Sequence, residues 1–95
     1  MPAYVIVNVA VTDPERYEEY RKLAGPTVTA YGGRFLARGG GAEVLEGGWT
    51  PRRVVILEFP SVARVKEWWG SPEYAVAKRI RHVTATTEMI VVEGV

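Results

Sequence analysis

Residues 54–59, Val-Val-Ile-Leu-Glu-Phe, limit most what this chain can become. The run favours β-structure and carries one charge, which suits a strand covered on both faces. Side chains alternate across a strand, so Val55, Leu57 and Phe59 make one wholly apolar face. Val54, Ile56 and Glu58 make the other, with Glu58 as its odd member. Residues 4–11 repeat the pattern. Val5, Val7, Val9 and Val11 fill one face; Tyr4, Ile6, Asn8 and Ala10 fill the other, with Asn8 polar. Two strands that are apolar on both sides demand two covers.

The segment after residue 59 supplies the first cover. Pro60 ends the strand because it brings no N–H to a ladder. Ser61 reads as a helix N-cap, and Val62, Val65, Trp68 and Trp69 recur at helical spacing. Gly70 offers a left-handed helix end, and Ser71-Pro72-Glu73 starts a second helix with cap, proline and acid in order. In that helix Tyr74, Ala77, Ile80 and Val83 are expected to face inward. An earlier helix opens with the same signature, Asp13-Pro14-Glu15. Its stripe is Tyr17, Tyr20, Ala24, Val28 and Tyr31, read as a core face with wet hydroxyls. Pro26 cannot donate to the carbonyl of Lys22, so a kink or break is expected there.

Gly32-Gly33 stops this helix, and residues 34–38 read as the second strand. Strict alternation puts Phe35 and Ala37 on one face and Arg34, Leu36 and Arg38 on the other. Gly39-Gly40-Gly41 and Gly47-Gly48 match no phosphate-binding pattern and read as bends, with residues 42–46 a ragged extension of the strand. Residues 88–93 form the last strand, with Ile90 and Val92 opposite Met89 and Val91.

Strand, helix, strand, strand, helix, strand is the ferredoxin-like βαββαβ order. The expected fold is α+β: a four-stranded antiparallel sheet with its helices on one face, in one domain spanning residues 1–95. Right-handed crossovers place both helices on the same face. The other face then carries Tyr4, Ile6, Leu36, Val54 and Ile56, with Asn8, Arg38 and Glu58 as its polar residues. Monomers seldom expose so large an apolar patch. The simplest cover is a second copy, so a homodimer through the sheet face not covered by helices is expected.

At this point the residues carry a family likeness. Gly32-Gly33-Arg34 with Leu36, Arg38-Gly39-Gly40, Leu45-Glu46-Gly47, Trp49, Pro51-Arg52, residues 56–61, Trp68, Ser71-Pro72-Glu73-Tyr74, Arg81 and Glu93-Gly94 resemble the bacterial family called domain of unknown function 1330. The resemblance spans nearly the whole chain and implies the dimeric α+β barrel superfamily. It implies little chemistry, because that superfamily includes cofactor-free monooxygenases, muconolactone-type isomerases, haem-binding and haem-degrading enzymes, and effector-binding modules. Fold analogy alone does not carry function. His82 is outside the matched pattern.

Composition narrows the classes. The chain has no cysteine, so disulfides, cysteine–metal sites and thiol catalysis are excluded. A net charge of +1 gives no basis for nucleic-acid binding. The one basic run, Lys78-Arg79-Ile80-Arg81-His82, falls at a helix C-terminus and complements its dipole. One histidine and scattered carboxylates do not make a metal site, and no cofactor is expected. No signal-peptide pattern and no membrane-spanning run is read, so a cytoplasmic location is expected.

Arg38 and Glu58 are the candidate catalytic residues. A carboxylate in an apolar wall can serve as a base, and a guanidinium can hold an anionic or enolate oxygen. A structural ion pair between the two is the competing role. Asn8, Trp49, Trp69 and Tyr74 join them as candidate ligand-binding residues, with Trp68 assigned to core packing. Two functions stand open. One is a cofactor-free enzyme of monooxygenase or isomerase type acting on a small aromatic or carbonyl compound in a cleft beside the sheet. The other is a non-catalytic small-molecule-binding or structural homodimer module.

Overall fold

The computed structural model describes all residues 1–95. Its elements run β1 (Ala3–Val11), α1 (Pro14–Ala30), β2 (Arg34–Arg38), β3 (Arg53–Phe59), α2 (Val62–Trp69), α3 (Pro72–Thr84) and β4 (Ala85–Glu93). The strands form one antiparallel sheet in the order β2-β3-β1-β4. This is the ferredoxin-like βαββαβ fold, its second helical segment split into α2 and α3.

The apolar alternation of β1 and β3 becomes the floor of the core. Val5, Val7, Val9, Val55, Leu57 and Phe59 are buried beneath the helices, and Val5 lies opposite Val91 and Val7 opposite Met89 on β4. Above them an aromatic ladder ties the helices together. Phe59 meets Trp68 with ring centroids 5.2 Å apart, Trp68 meets Tyr74 at 4.3 Å, and Tyr17 meets Tyr20 at 5.2 Å. The hydroxyls of Tyr20 and Tyr74 share a 2.7 Å hydrogen bond that joins α1 to α3. The Trp68 indole N–H donates to Thr27 Oγ1 at 3.1 Å, so this buried indole is not left without a partner.

The three helix entries form as expected. Asp13 Oδ1 accepts from the Arg16 N–H at 3.3 Å, Ser61 Oγ from Arg64 at 3.1 Å and Ser71 Oγ from Tyr74 at 3.1 Å. Four local readings change. Helix α1 runs through Pro26 without a break, since Lys22 and Pro26 both face solvent and water can take the orphaned carbonyl. Gly70 closes α2 at φ −93°, not in the left-handed region, because α3 begins two residues later and sets its direction. Residues 42–46 extend no strand; the whole 39–52 connection is irregular and almost wholly exposed. The buried stripe of α3 is Tyr74, Ala77, Arg81 and Thr84, while Val83 is 61% exposed. The helix therefore turns one residue further round than its apolar residues suggest, and a charge goes inward.

The second sheet face has no cover within the chain. Tyr4, Ile6, Ala10, Val54 and Ile56 are half-buried there by one another, and Ile90 is 60% exposed. At β2 the register slips. Phe35 lies opposite Leu57 and Ala37 opposite Ile56, so Leu36 is an extra residue, a β-bulge. The slip reverses the parity of everything after it. Arg38 lies opposite the buried Val55 and belongs to the helix side, not to the open face where strict alternation puts it.

Candidate functional site

The bulge builds the site. Between the helix side of the sheet and helices α1 and α3 runs a narrow cleft with a free volume of ≈ 40 Å³. Its apolar walls include Val7, Val9, Val55, Leu57, Ala24 and Met89, with Trp68 at its base. Into it come two tyrosines, Tyr17 and Tyr20, and four arginines, Arg21, Arg38, Arg53 and Arg81. No carboxylate and no imidazole lines it.

The arginines arrive from different elements. Arg38, turned to the helix side by the bulge and still exposed at the cleft's edge, stacks its guanidinium on the Phe35 ring at 4.0 Å and reaches towards Gly25 on α1. Arg53 opens β3 and lies over the Tyr17 ring at 6.0 Å. Its guanidinium also rests on Gly39, whose φ of +78° and lack of a side chain permit the approach; a Cβ there would run into it. Arg21 is bound to Glu18 at 2.9 Å. Arg38, Arg53 and Arg81 pair with no carboxylate. Arg81 is only 4% exposed, and its Nε has no hydrogen-bond partner; the Nε atoms of Arg53 and Arg21 are likewise buried without one. A buried charge without a partner carries a heavy desolvation cost, so its persistence marks a place where an anion would be stabilised.

The tyrosines are donors here, not bases. Burial pushes the Tyr20 hydroxyl well above its ordinary value of 10.0, and the neighbouring Tyr74 adds to the shift. Burial also raises Tyr17, against the opposing pull of Arg53. Both stay protonated at neutral pH. The cleft can therefore hold and polarise an oxygen anion, through guanidinium and phenol donors, and it offers no ordinary side-chain base.

The residues singled out from the sequence separate. Of them only Arg38 lines this cleft. Glu58 sits on the opposite sheet face, where Arg34 on the neighbouring strand donates Nε and Nη2 to its Oε1 at 2.7 and 2.6 Å. The ion pair weighed between Arg38 and Glu58 as the competing role does not form; Glu58 pairs with Arg34 instead, because the bulge sends the two candidates to opposite sides. Tyr4 faces Glu58 across the ladder, and its hydrogen bond to that carboxylate raises the phenol's pKa. Asn8 shares the open face, and its Oδ1 accepts from the Arg52 N–H at 2.9 Å, tying down the end of the 39–52 connection. Tyr74 is fully buried behind Tyr20. Trp69 and Trp49 are half-exposed, and neither lines the cleft.

Tyr17, Tyr20, Arg53 and Arg81 are the cleft residues that pattern reading did not single out as site residues. The tyrosines lie on a core stripe, and they are core residues too. Arg53 directly precedes the apolar run of β3. Arg81 had two sequence signals, its place in the family-like pattern and its spacing of i+4 from Ala77 and i+7 from Tyr74.

A ferredoxin-like sheet with a cation-lined cleft beneath its helices places this chain among the ferredoxin-like α+β proteins. More narrowly, residues 2–95 match the family described as Domain of unknown function (DUF1330), and the chain belongs to that family. No functionally curated protein matches it. Among solved structures it is similar to RPA0582, a protein of unknown function from Rhodopseudomonas palustris, with TM-score 0.80, 24% identity, and coverage of 99% of this chain and 82% of that one. It is similar to a dimeric ferredoxin-like protein of unknown function from Jannaschia sp. CCS1, with TM-score 0.73, 12% identity, and coverage of 99% and 100%. It is also similar to SnoaB, a cofactor-independent oxygenase from Streptomyces nogalater, with TM-score 0.69, 10% identity, and coverage of 99% and 93%. At these identities the likeness carries the fold. No helix is long and apolar enough to cross a membrane.

Proposed function

We propose that this protein binds a small organic anion of the 2-oxo-acid or enolate type in the cleft between sheet and helices. The observation that carries the reading is the set of three guanidiniums, Arg38, Arg53 and Arg81, without carboxylate partners around an acid-free cleft. A carboxylate would meet two of them in forked geometry, and a carbonyl or enolate oxygen would meet the third or the Tyr20 hydroxyl. The ≈ 40 Å³ volume suits a compound of a few heavy atoms and is far below the space that drug-sized ligands occupy. A carbonyl compound is therefore favoured over an aromatic one.

The protein acts as one domain, residues 1–95, paired with a second copy across the open sheet face. Support comes from the apolar, half-buried residues of that face and from the similar Jannaschia protein, which is described as dimeric.

A second reading, oxygenase chemistry without a cofactor, is supported by the presence of that activity on the same fold in SnoaB. Cations that hold a substrate enolate would ease loss of the proton from its carbon; with no side-chain base in the cleft that proton would go to water, and dioxygen would then add to the enolate carbon to give a peroxide. The test uses oxalate, a planar dianion of enolate shape, with pyruvate and neutral acetone alongside. Binding of oxalate and pyruvate should perturb the Trp68 indole N–H resonance in a saturable way. Equal response to acetone, or none to oxalate at millimolar concentration, defeats the anion reading. Oxygen uptake with an enolisable oxo acid then separates catalysis from binding alone.

A further inference from the structure

A second, larger concavity lies on the same side of the sheet, between α2, the end of α3 and the edge strand β4. Its volume is ≈ 380 Å³, within the range of small-molecule sites, whereas the cleft measures ≈ 40 Å³. Val5, Val65, Met89, Val91 and Trp69 give it apolar walls. Its polar groups are Lys66, Arg81, His82 and Thr87, with no carboxylate among them. Trp69 is held as a fixed wall: the Lys78 ammonium sits 3.7 Å from its ring centroid and donates to its carbonyl at 2.9 Å.

Two buried polar atoms at this groove lack partners, Arg81 Nε and Thr87 Oγ1. Arg81, 4% exposed, is the wall common to cleft and groove. We infer that the groove is a second ligand site, for an amphiphilic organic acid with a flat apolar body and one anionic head. The body lies along Trp69 and the valines. The head meets Arg81 and the Thr87 hydroxyl, with Lys66 and His82 at the rim. The match rests on complementarity of charge and on size: the charged groups at the groove, Lys66 and Arg81, are cations, no carboxylate lines it, and the space admits a bicyclic ring. Because a single guanidinium serves both cavities, the acid in the groove also draws on the Arg81 charge that the cleft uses.

The three tryptophans give separate readouts, since Trp68 lines the cleft, Trp69 the groove and Trp49 neither. The probe is 2-naphthoate, titrated into isotopically labelled protein. The Trp69 indole N–H should move to saturation while Trp49 stays fixed. Lys66→Glu and His82→Glu, both at exposed positions, should each leave the fold intact, and together they should weaken binding by about tenfold or more. The neutral 2-naphthylmethanol should bind about tenfold less well than the acid. An unmoved Trp69, equal affinity for the alcohol, or full affinity in the doubly substituted protein overturns the proposal. Movement of Trp68 alone assigns naphthoate to the cleft and overturns the groove site, leaving the cleft reading in place. Failure of oxalate at Trp68 with success of naphthoate at Trp69 does the reverse.

Discussion

The two faces of the sheet are built from the same strands and end differently. On the open face the charge is settled locally: Arg34, Glu58 and Tyr4 lie in one cross-strand row and satisfy one another. On the helix side three guanidiniums converge with no acid among them. A face whose central charges are already paired, with the exposed Glu88 of edge strand β4 left without a partner, is ready for contact with another apolar surface. A cleft in which three of four cations lack a carboxylate partner is ready for an anion. Apolar alternation is common to both, so hydrophobicity does not distinguish their roles; the state of their charges does.

The largest effect should come from the covered face. Trp68→Ala removes a ring that is 1% exposed and breaks the aromatic ladder, at about 3–5 kcal/mol. Denaturant titration should show most of the stability of so small a domain lost. The open face should respond in assembly first. Ile56→Lys places an unpaired charge in the proposed dimer contact, and sedimentation should change from twice the chain mass to one. A stable monomer before substitution would break the comparison at its root.

Charge removal should have opposite signs on the two faces. Arg81→Met takes away a buried charge that has no carboxylate partner. It should leave the ligand-free protein as stable or about 1–4 kcal/mol more so, by analogy with the replacement of buried ionic groups, while abolishing oxalate binding. Glu58→Gln on the open face acts on a pair whose arginine side chain is 70% exposed. It should cost no more than about 1 kcal/mol and leave oxalate binding intact. Destabilisation by Arg81→Met larger than that by Glu58→Gln would show that Arg81 is a structural residue.

The smallest effects test the frame and its protons. Asp13→Ala and Ser61→Ala should each cost about 0.5–2 kcal/mol by loss of a cap, seen as lower denaturant midpoints. Tyr17 and Tyr20 have folded pKa values raised above the ordinary 10.0. Above pH 10 the unfolded chain therefore gives up protons that the folded chain keeps, so their contribution is complete below pH 10 and declines as the pH rises beyond it. Tyr20→Phe should flatten that alkaline loss; an unchanged slope would mean that Tyr20 ionises normally in the fold.

Much of this protein was determined by its sequence alone. The valines of β1, the run of β3 and the caps at Asp13, Ser61 and Ser71 specify element types and order, because periodicity and capping are local and leave few alternatives. The family likeness follows from the same residues. The site was decided only in three dimensions. One extra residue at Leu36 reverses the side to which Arg38 points, and alternation cannot announce a bulge, since parity is known only when the partner strand's register is known. Arg81 reads as a solvated end-of-helix cation until α3 docks. Its burial comes from the rotation that Tyr74, Ala77 and Thr84 impose as they pack together, a tertiary constraint that overrides the polarity of one side chain.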